Sequence, residues 1–323
     1  MLTHPASFQV RRIAPDAADR PHALHLALEA PAAVPGGPVD PRVASLLADA
    51  ERRCLRTDLL CGVYNRGLLR SAALAVESPG RAALVFLPDP QAAGISIEAA
   101  AAALSSLQAE AWARSNLLLQ LLLPRGAVGQ AQAAAAAGFR RLTRLLYLRR
   151  ASTAPPPSFS NRRRLQWLSY SAATHSIFLE AMRRTYAQSM DCPELTTIRP
   201  VEDALASHKA AGDFDPHLWS VVLHENRPAA VLLLSPIGEH SAFEIVYMGV
   251  AQVMRGTGVA HSLMARAVGL AGQVSAKRLA PGFDLALAVD ERNVPARRLY
   301  SRWGFESVGL RDAWIATFPL TST

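Results

Sequence analysis

Two Gly-Phe pairs, Gly138-Phe139 and Gly304-Phe305, stand 166 positions apart, and each closes a run of apolar residues at helical spacing. Glycine just past the last periodic residue suits the left-handed position that ends a helix, with the next apolar residue folding back on the last turn. The same offset sets Val128 against Val294. Working back from each pair, one succession of elements is read twice. In the second half it is a strand at Phe243–Ala251, an amphipathic helix at Val259–Ala271, a strand at Phe283–Val289 and a helix at Pro295–Trp303. In the first half it is a strand at Ala82–Leu87, a helix at Ile97–Ala113, a strand at Leu117–Leu123 and a helix through Ala131–Ala137. This repeat predicts an internal duplication of one α/β unit, with chance similarity of two such units as the competing explanation.

Strand–helix–strand order implies parallel pairing of the flanking strands through a crossover. Upstream, Leu218–Leu223 and Ala229–Ser235 alternate about Asn226-Arg227-Pro228, the pattern of an antiparallel hairpin. Each half is therefore expected to be a mixed α/β sheet with helices on its faces. Ala154-Pro155-Pro156-Pro157-Ser158 can continue neither helix nor ladder and reads as an extended linker near the midpoint, dividing the chain into 1–153 and 159–323.

The chain has 323 residues, half of them apolar and 19% charged, which suits two folded domains. No apolar run approaches the ~18 residues of a membrane span, and Met1–Gln9 lacks the pattern of a signal peptide, so a cytoplasmic location is expected. Cys54, Cys61 and Cys192 are odd in number and lack paired metal-ligand spacing, as do the nine histidines, so neither a disulfide framework nor a metal site is expected. The net charge of +8 is uneven: residues 1–151 hold 17 Arg against 11 acids, the remainder 17 Lys plus Arg against 15. The excess gathers at Arg140, Arg141, Arg144, Arg149 and Arg150, with Arg162, Arg163 and Arg164 beyond the linker. Such a patch could attract a polyanion; without interleaved aromatics or a nucleic-acid motif, a solvated arginine surface is the simpler reading.

The most informative stretch runs from Val250 to Ala260: a strand enters a loop holding Gly256 and Gly258, and a helix starts at once. Amides at a helix start lack intrahelical partners, the helix dipole adds positive character, and glycine lets the backbone approach an anion closely. Arg255 could add a guanidinium to the same oxygens. The apolar positions of the helix leave His261, Ser262 and Arg266 outside. Arg255-Gly256-Thr257-Gly258-Val259-Ala260 resembles the Q/R-x-x-G-x-G/A signature of the GCN5-related N-acetyltransferases (GNAT). The resemblance implies that this loop binds the pyrophosphate of acetyl-CoA or another acyl-CoA. It also implies that the preceding strand, through Met248 and Val250, bonds the pantetheine arm as an added strand would.

Downstream, Asn293-Val294-Pro295-Ala296-Arg297-Arg298-Leu299-Tyr300 through Gly304-Phe305 is similar to the family's N-x-x-A-x-x-L-Y-x-x-x-G-F segment. By that likeness Asn293 contacts the cofactor and Tyr300 is the general acid that protonates the departing thiolate. Taken alone, Tyr300 reads better as a core aromatic on an amphipathic helix; the matching Arg255–Ala260 segment upstream is what favours the catalytic role. Histone-type members carry a glutamate where Glu244 stands, which makes Glu244 a candidate base. Alternation would put it on the Val246, Met248 and Val250 face, while an exposed strand carboxylate is an equal reading. Tyr247, His240 and Glu239 are fallback bases. Gly249 is a candidate bulge, and the amide near Val250 a candidate oxyanion donor.

The matching loop of the first half, Asp89-Pro90-Gln91-Ala92-Ala93-Gly94, loses a donor to proline and adds a repelling carboxylate, and Ala134 stands where Tyr300 would. The first half thus reads as a degenerate, non-catalytic copy, in an architecture similar to tandem acetyltransferases. The implied activity is transfer of an acyl group from acyl-CoA to a small-molecule or peptide primary amine, without metal. A CoA-binding module without catalysis and a polyanion binder are the alternatives.

Overall fold

The computed structural model describes residues 8–30, 39–159, 164–238, 242–277 and 282–318. The first half runs β1 (Phe8–Arg12), α1 (Arg20–Ala27), α2 (Pro41–Arg52), β2 (Arg56–Asn65), β3 (Leu68–Ser78), β4 (Ala82–Phe86), α3 (Ile97–Ala113), β5 (Leu118–Pro124), α4 (Val128–Ala136) and β6 (Arg140–Ala151). The second repeats it: β7 (Gln166–Ser169), α5 (His175–Tyr186), α6 (Val201–Ala210), β8 (Trp219–His224), β9 (Arg227–Ile237), β10 (Ala242–Val250), α7 (Val259–Lys277), β11 (Asp284–Asp290), α8 (Val294–Arg302) and β12 (Glu306–Thr317). The duplicated order is thus present over the whole of both halves, including strands and helices whose pattern is too short or too uniformly apolar to read.

Each half builds the same kind of sheet. β1 through β4 are antiparallel neighbours and β4 pairs parallel with β5; β7 through β10 are antiparallel and β10 pairs parallel with β11. Both helix ends marked by Gly-Phe form as expected. Gly138 and Gly304 have φ of +82° and +76°, and the amides of Phe139 and Phe305 close on the carbonyls of Ala134 and Tyr300 at 2.9 and 3.0 Å.

The compact units do not part at the proline segment. One comprises residues 1–142 with 312–323, the other 143–311. The reason is hydrogen bonding: β6, the last strand of the first half, pairs antiparallel with β11 from Leu145↔Asp290 to Ala151↔Asp284. Reciprocally, the end of β12 joins β5, where the Phe318 amide donates to Leu117 at 3.1 Å. The linker follows β6 inside the second unit, and Ala154 packs beside Gly304.

In the first unit, α3 and α4 cover one sheet face around Leu104 and Leu107, while α1 and α2 cover the other around Leu24 and Val43. In the second, α7 and α8 bury Leu263, Met264, Tyr300 and Trp303 on one face, and α5 and α6 bury Phe178, Met182 and Leu205 on the other. No described helix is long and apolar enough to cross a membrane, and no metal-ligating cluster occurs among the described residues.

Candidate active site

The candidate site begins where two strands separate. β10 pairs with β9 along its whole length, from Ala242↔Ile237 to Val250↔Ala230. Among the described residues its parallel ladder with β11 holds Ala242↔Asp284, Phe243↔Leu285 and Glu244↔Ala286, then stops. Residues 246–250 therefore turn an open backbone edge toward β11, the geometry an added strand-like ligand requires.

The bulge lies elsewhere than expected. The β9–β10 register shifts between Ile245 and Tyr247, so Val246, not Gly249, is the extra residue. This reverses the alternation. Phe243 and Ile245 face α7 before the bulge, and Met248 and Val250 face it afterwards, whereas Val246 and Tyr247 both face α5. Glu244 consequently sits at the last paired register, on the face opposite Met248 and Val250. Gly249 has a packing role: a Cβ there would lie 2.6 Å from Thr185 Cβ and 2.6 Å from the Tyr247 hydroxyl.

Beyond Val250 the chain makes a 3-10 turn at Gln252–Met254 and enters α7 through the glycine loop. Gly256 and Gly258 have φ of +75° and +89°, conformations in which a side chain is strained, and a Cβ on Gly256 would meet nothing within 4 Å. The amides of His261 and Ser262 are the first to close on Gly258, leaving the amides of 256–260 ahead of the intrahelical pattern. The Thr257 hydroxyl donates to Met254 O at 2.7 Å. The Arg255 guanidinium is turned onto carbonyls, donating to Val250, Gln188 and Ala187 at 3.2, 2.8 and 3.0 Å, so it ties the loop to the end of α5. His261 is not left outside; its ring lies against Phe159 and accepts from Trp303 Nε1 at 3.0 Å.

α8 supplies the tyrosine. Asn293 caps this helix, its Oδ1 accepting the Ala296 amide at 3.2 Å. Tyr300 is 6% exposed in the α7–α8 core, and among the described residues its hydroxyl has no hydrogen-bond partner. Burial, with the charge of Asp191 added, raises its pKa and keeps it a donor. Arg150 holds the far end of the helix: 1% exposed, it donates to Trp303 O at 2.7 Å, to Ala151 O at 3.2 Å and to Ala154 O.

The site also includes residues whose type and spacing gave no signal. Successive amides of a strand point to opposite edges. The Glu291 amide donates to Arg144 on β6 at 2.9 Å, so the Asp290 amide points into the opening, where Asp191 Oδ1 accepts it at 2.9 Å. The Asp290 carboxylate is saturated by Thr143, by the amides of Arg292 and Cys192, and by the Arg292 guanidinium, at 2.7–3.1 Å. Arg292 in turn clasps Glu194 at 2.7 and 3.0 Å. Burial opposes ionisation of Asp290, but these bonds hold its pKa low. Burial raises that of Asp191; the Asp290 amide offsets part of this and the Asp290 charge adds to it. Burial, then Asp191, also raises the Cys192 thiol, leaving no thiolate for a covalent step.

The arginine patch is largely spent on internal contacts. Arg141, Arg144 and Arg149 pair with Asp312, Glu291 and Asp284. Arg162, Arg163, Glu239 and His240 lie outside the described residues. In the first half the matching loop is closed on itself: Asp89 Oδ1 accepts the Gln91 amide at 3.0 Å, and the amides of Ala93, Gly94 and Ile95 bond to Asp89, Gln91 and Pro90.

Residues 179–305 match the model of the Acetyltransferase (GNAT) family. A GCN5-related N-acetyltransferase from Sphaerobacter thermophilus has a similar fold, with a TM-score of 0.64 at 17% identity over 99% of this chain and 100% of that one. A tandem GNAT protein from the clavulanic acid biosynthesis pathway gives 0.54 at 14% identity, over 96% and 98%. A GCN5-related glucosamine N-acetyltransferase region of a fungal multi-domain GH3 beta-N-acetylglucosaminidase gives 0.60 at 14%, over 96% of this chain and 38% of that one. Comparison with curated proteins gave no match. The strand separation, the glycine loop before α7 and the family match coincide in the second half of the chain, whose residues 179–305 are similar to the GNAT acetyltransferase domain, a family whose general chemistry is acyl transfer from acyl-CoA.

Proposed function

We propose that the chain is an N-acyltransferase that moves an acetyl or related acyl group from acyl-CoA to a primary amine by direct attack, with one working site in the second half. The observation that supports this reading is the opening between β10 and β11 ahead of the glycine loop, with Tyr300 in the same core cluster as Met248 and Val250 of the opened strand. In this reading the amides of residues 256–260 hold the pyrophosphate, as helix starts hold anions. Met248 and Val250 lie along the pantetheine arm, with an amide near Val250 steadying the developing oxyanion. Asn293 borders the arm, and Arg255 serves by holding the loop to α5. Tyr300, buried and still protonated, gives its proton to the leaving thiolate. The first half, with its matching loop amides bonded internally, supplies no second site.

The test is thiol release from acetyl-CoA with a panel of primary amines. Wild-type protein should release thiol with at least one amine, and Tyr300→Phe should lower kcat by about 10²-fold or more while leaving acetyl-CoA affinity within twofold. Acetyl-CoA binding with no amine-dependent release would leave a binding module in place of an enzyme. Unchanged turnover in Tyr300→Phe would remove the tyrosine as the acid.

A further inference from the structure

We propose that Asp191 is the carboxylate that receives the ammonium group of the acceptor and takes up its first proton, which makes the acceptor a cationic amine; this rests on the acyltransferase reading above. Three observations converge on it. The first is position: the Asp290 amide points away from β6 into the strand opening, and Asp191 Oδ1 is what it meets, 2.9 Å away. The second is bonding: Asp290 has every lone pair engaged, while among the described residues the second oxygen of Asp191 has no hydrogen-bond partner. The third is Tyr300, a residue 6% exposed whose hydroxyl has no hydrogen-bond partner among the described residues and on which the charge of Asp191 acts.

Two neighbouring carboxylates with divergent environments divide the labour of a site. Asp290 is the fixed anion that anchors Arg292 and, through it, Glu194. Asp191 is the one able to change charge. The groups that face it are Tyr186 from α5, Tyr247 from β10, Asp290 from β11, Arg292 from the following loop, Tyr300 from α8 and its neighbour Cys192. The rings of Tyr186 and Tyr247 stand 5.2 Å apart edge-on, His208 stacks on Tyr247 at 5.5 Å and Tyr247 is tied to Thr185 at 2.9 Å, so these phenols are held in place on the α5 side of the sheet. Glu244 stands at the closed end of the opening instead, where β10 and β11 still pair.

The step balances. The ammonium gives one proton to the Asp191 carboxylate, and the freed pair on nitrogen forms the N–C bond at the thioester carbonyl. The C–S bond breaks with its pair on sulfur, and the thiolate takes the Tyr300 proton. The second nitrogen proton restores the Tyr300 hydroxyl, and the proton on Asp191 leaves to solvent.

Two measurements test this on the full chain. In the first, benzylammonium and the neutral benzyl alcohol are titrated into CoA-saturated protein. Wild-type protein should prefer the cation at least tenfold and Asp191→Asn should lose that preference; equal preference in the wild type, or a preference kept in Asp191→Asn, overturns the proposal. In the second, kcat/KM for the best amine is followed against pH. Asp191→Asn should lower it about 100-fold and remove the limb that rises with pH, with Asp191→Glu recovering part of both. A limb that survives in Asp191→Asn, or that is removed by Glu244→Gln instead, overturns it. Failure of the acyltransferase reading is distinguishable, because it appears as absent acetyl-CoA binding or absent thiol release in the wild type.

Discussion

Two glycines of the second unit should answer the same substitution with opposite signs. Gly249 lies in β10 against α5, and an alanine Cβ there would meet Thr185 Cβ at 2.6 Å, the Tyr247 hydroxyl oxygen at 2.6 Å and Thr185 Oγ1 at 2.7 Å. All three distances are well inside van der Waals contact, and two of the atoms belong to one hydrogen bond, Thr185 to Tyr247 at 2.9 Å. Accommodating the methyl means shifting α5 from the sheet or breaking that bond, and overpacking of this kind costs about 1–3 kcal/mol. Gly269, exposed on α7, has nothing within 4 Å of a Cβ, and replacing a helical glycine by alanine gains about 0.5–1 kcal/mol. For a unit of this size each kcal/mol moves the melting temperature by about 2–4 °C. The melting temperature followed by circular dichroism should therefore fall by about 2–12 °C in Gly249→Ala and rise by about 1–4 °C in Gly269→Ala. A Gly249→Ala protein that melts with the wild type would refute the close approach of β10 and α5. Equal falls in both variants would refute the distinction drawn between the two positions.

Arg150→Met removes a guanidinium bonded to three carbonyls at the end of α8, and charge-assisted bonds of this kind contribute about 1.5–3 kcal/mol each, offset by the lost cost of burying the charge. A net loss of about 2–4 kcal/mol should appear as a lower urea midpoint, whereas Arg141→Ala, in an exposed pair with Asp312, should change it by no more than about 1 kcal/mol; similar losses in both would be the wrong outcome. His208 has its pKa lowered to about 4 by burial, with Arg199 adding to it. A depressed histidine favours the neutral folded form, so its contribution is present above the unfolded value near 6.5 and is lost as pH falls toward 4, by at most about 3 kcal/mol, less because the residue as a whole is only half-buried. His208→Gln should flatten the acid side of the stability profile in that window; an unchanged slope would count against the burial.

The repeated order was legible because helices carry stop signals. Gly138 and Gly304 mark α4 and α8, and Ile97–Ala113 is read to the residue. The strand exchange was not legible, since β6 and β12 look alike as alternating strands and nothing local says which partner each takes. For that reason a proline segment that looks like a boundary lies inside a unit. The glycine loop was visible in its two glycines, but the direction of Arg255 depended on where α5 ends. The bulge at Val246 leaves no mark in an apolar strand, yet it decides which face Glu244 occupies. Asp191 was silent for a similar reason: its importance comes from the β11 amide that reaches it, 99 residues away in sequence.

Calorimetric titration of acetyl-CoA into the full chain tests the central claim most directly. One CoA per 323-residue chain is expected, with binding abolished by Gly258→Val and untouched by Asp89→Ala in the first-half loop. No heat of binding, two equivalents per chain, or undiminished affinity in Gly258→Val would contradict a single working phosphate loop ahead of α7.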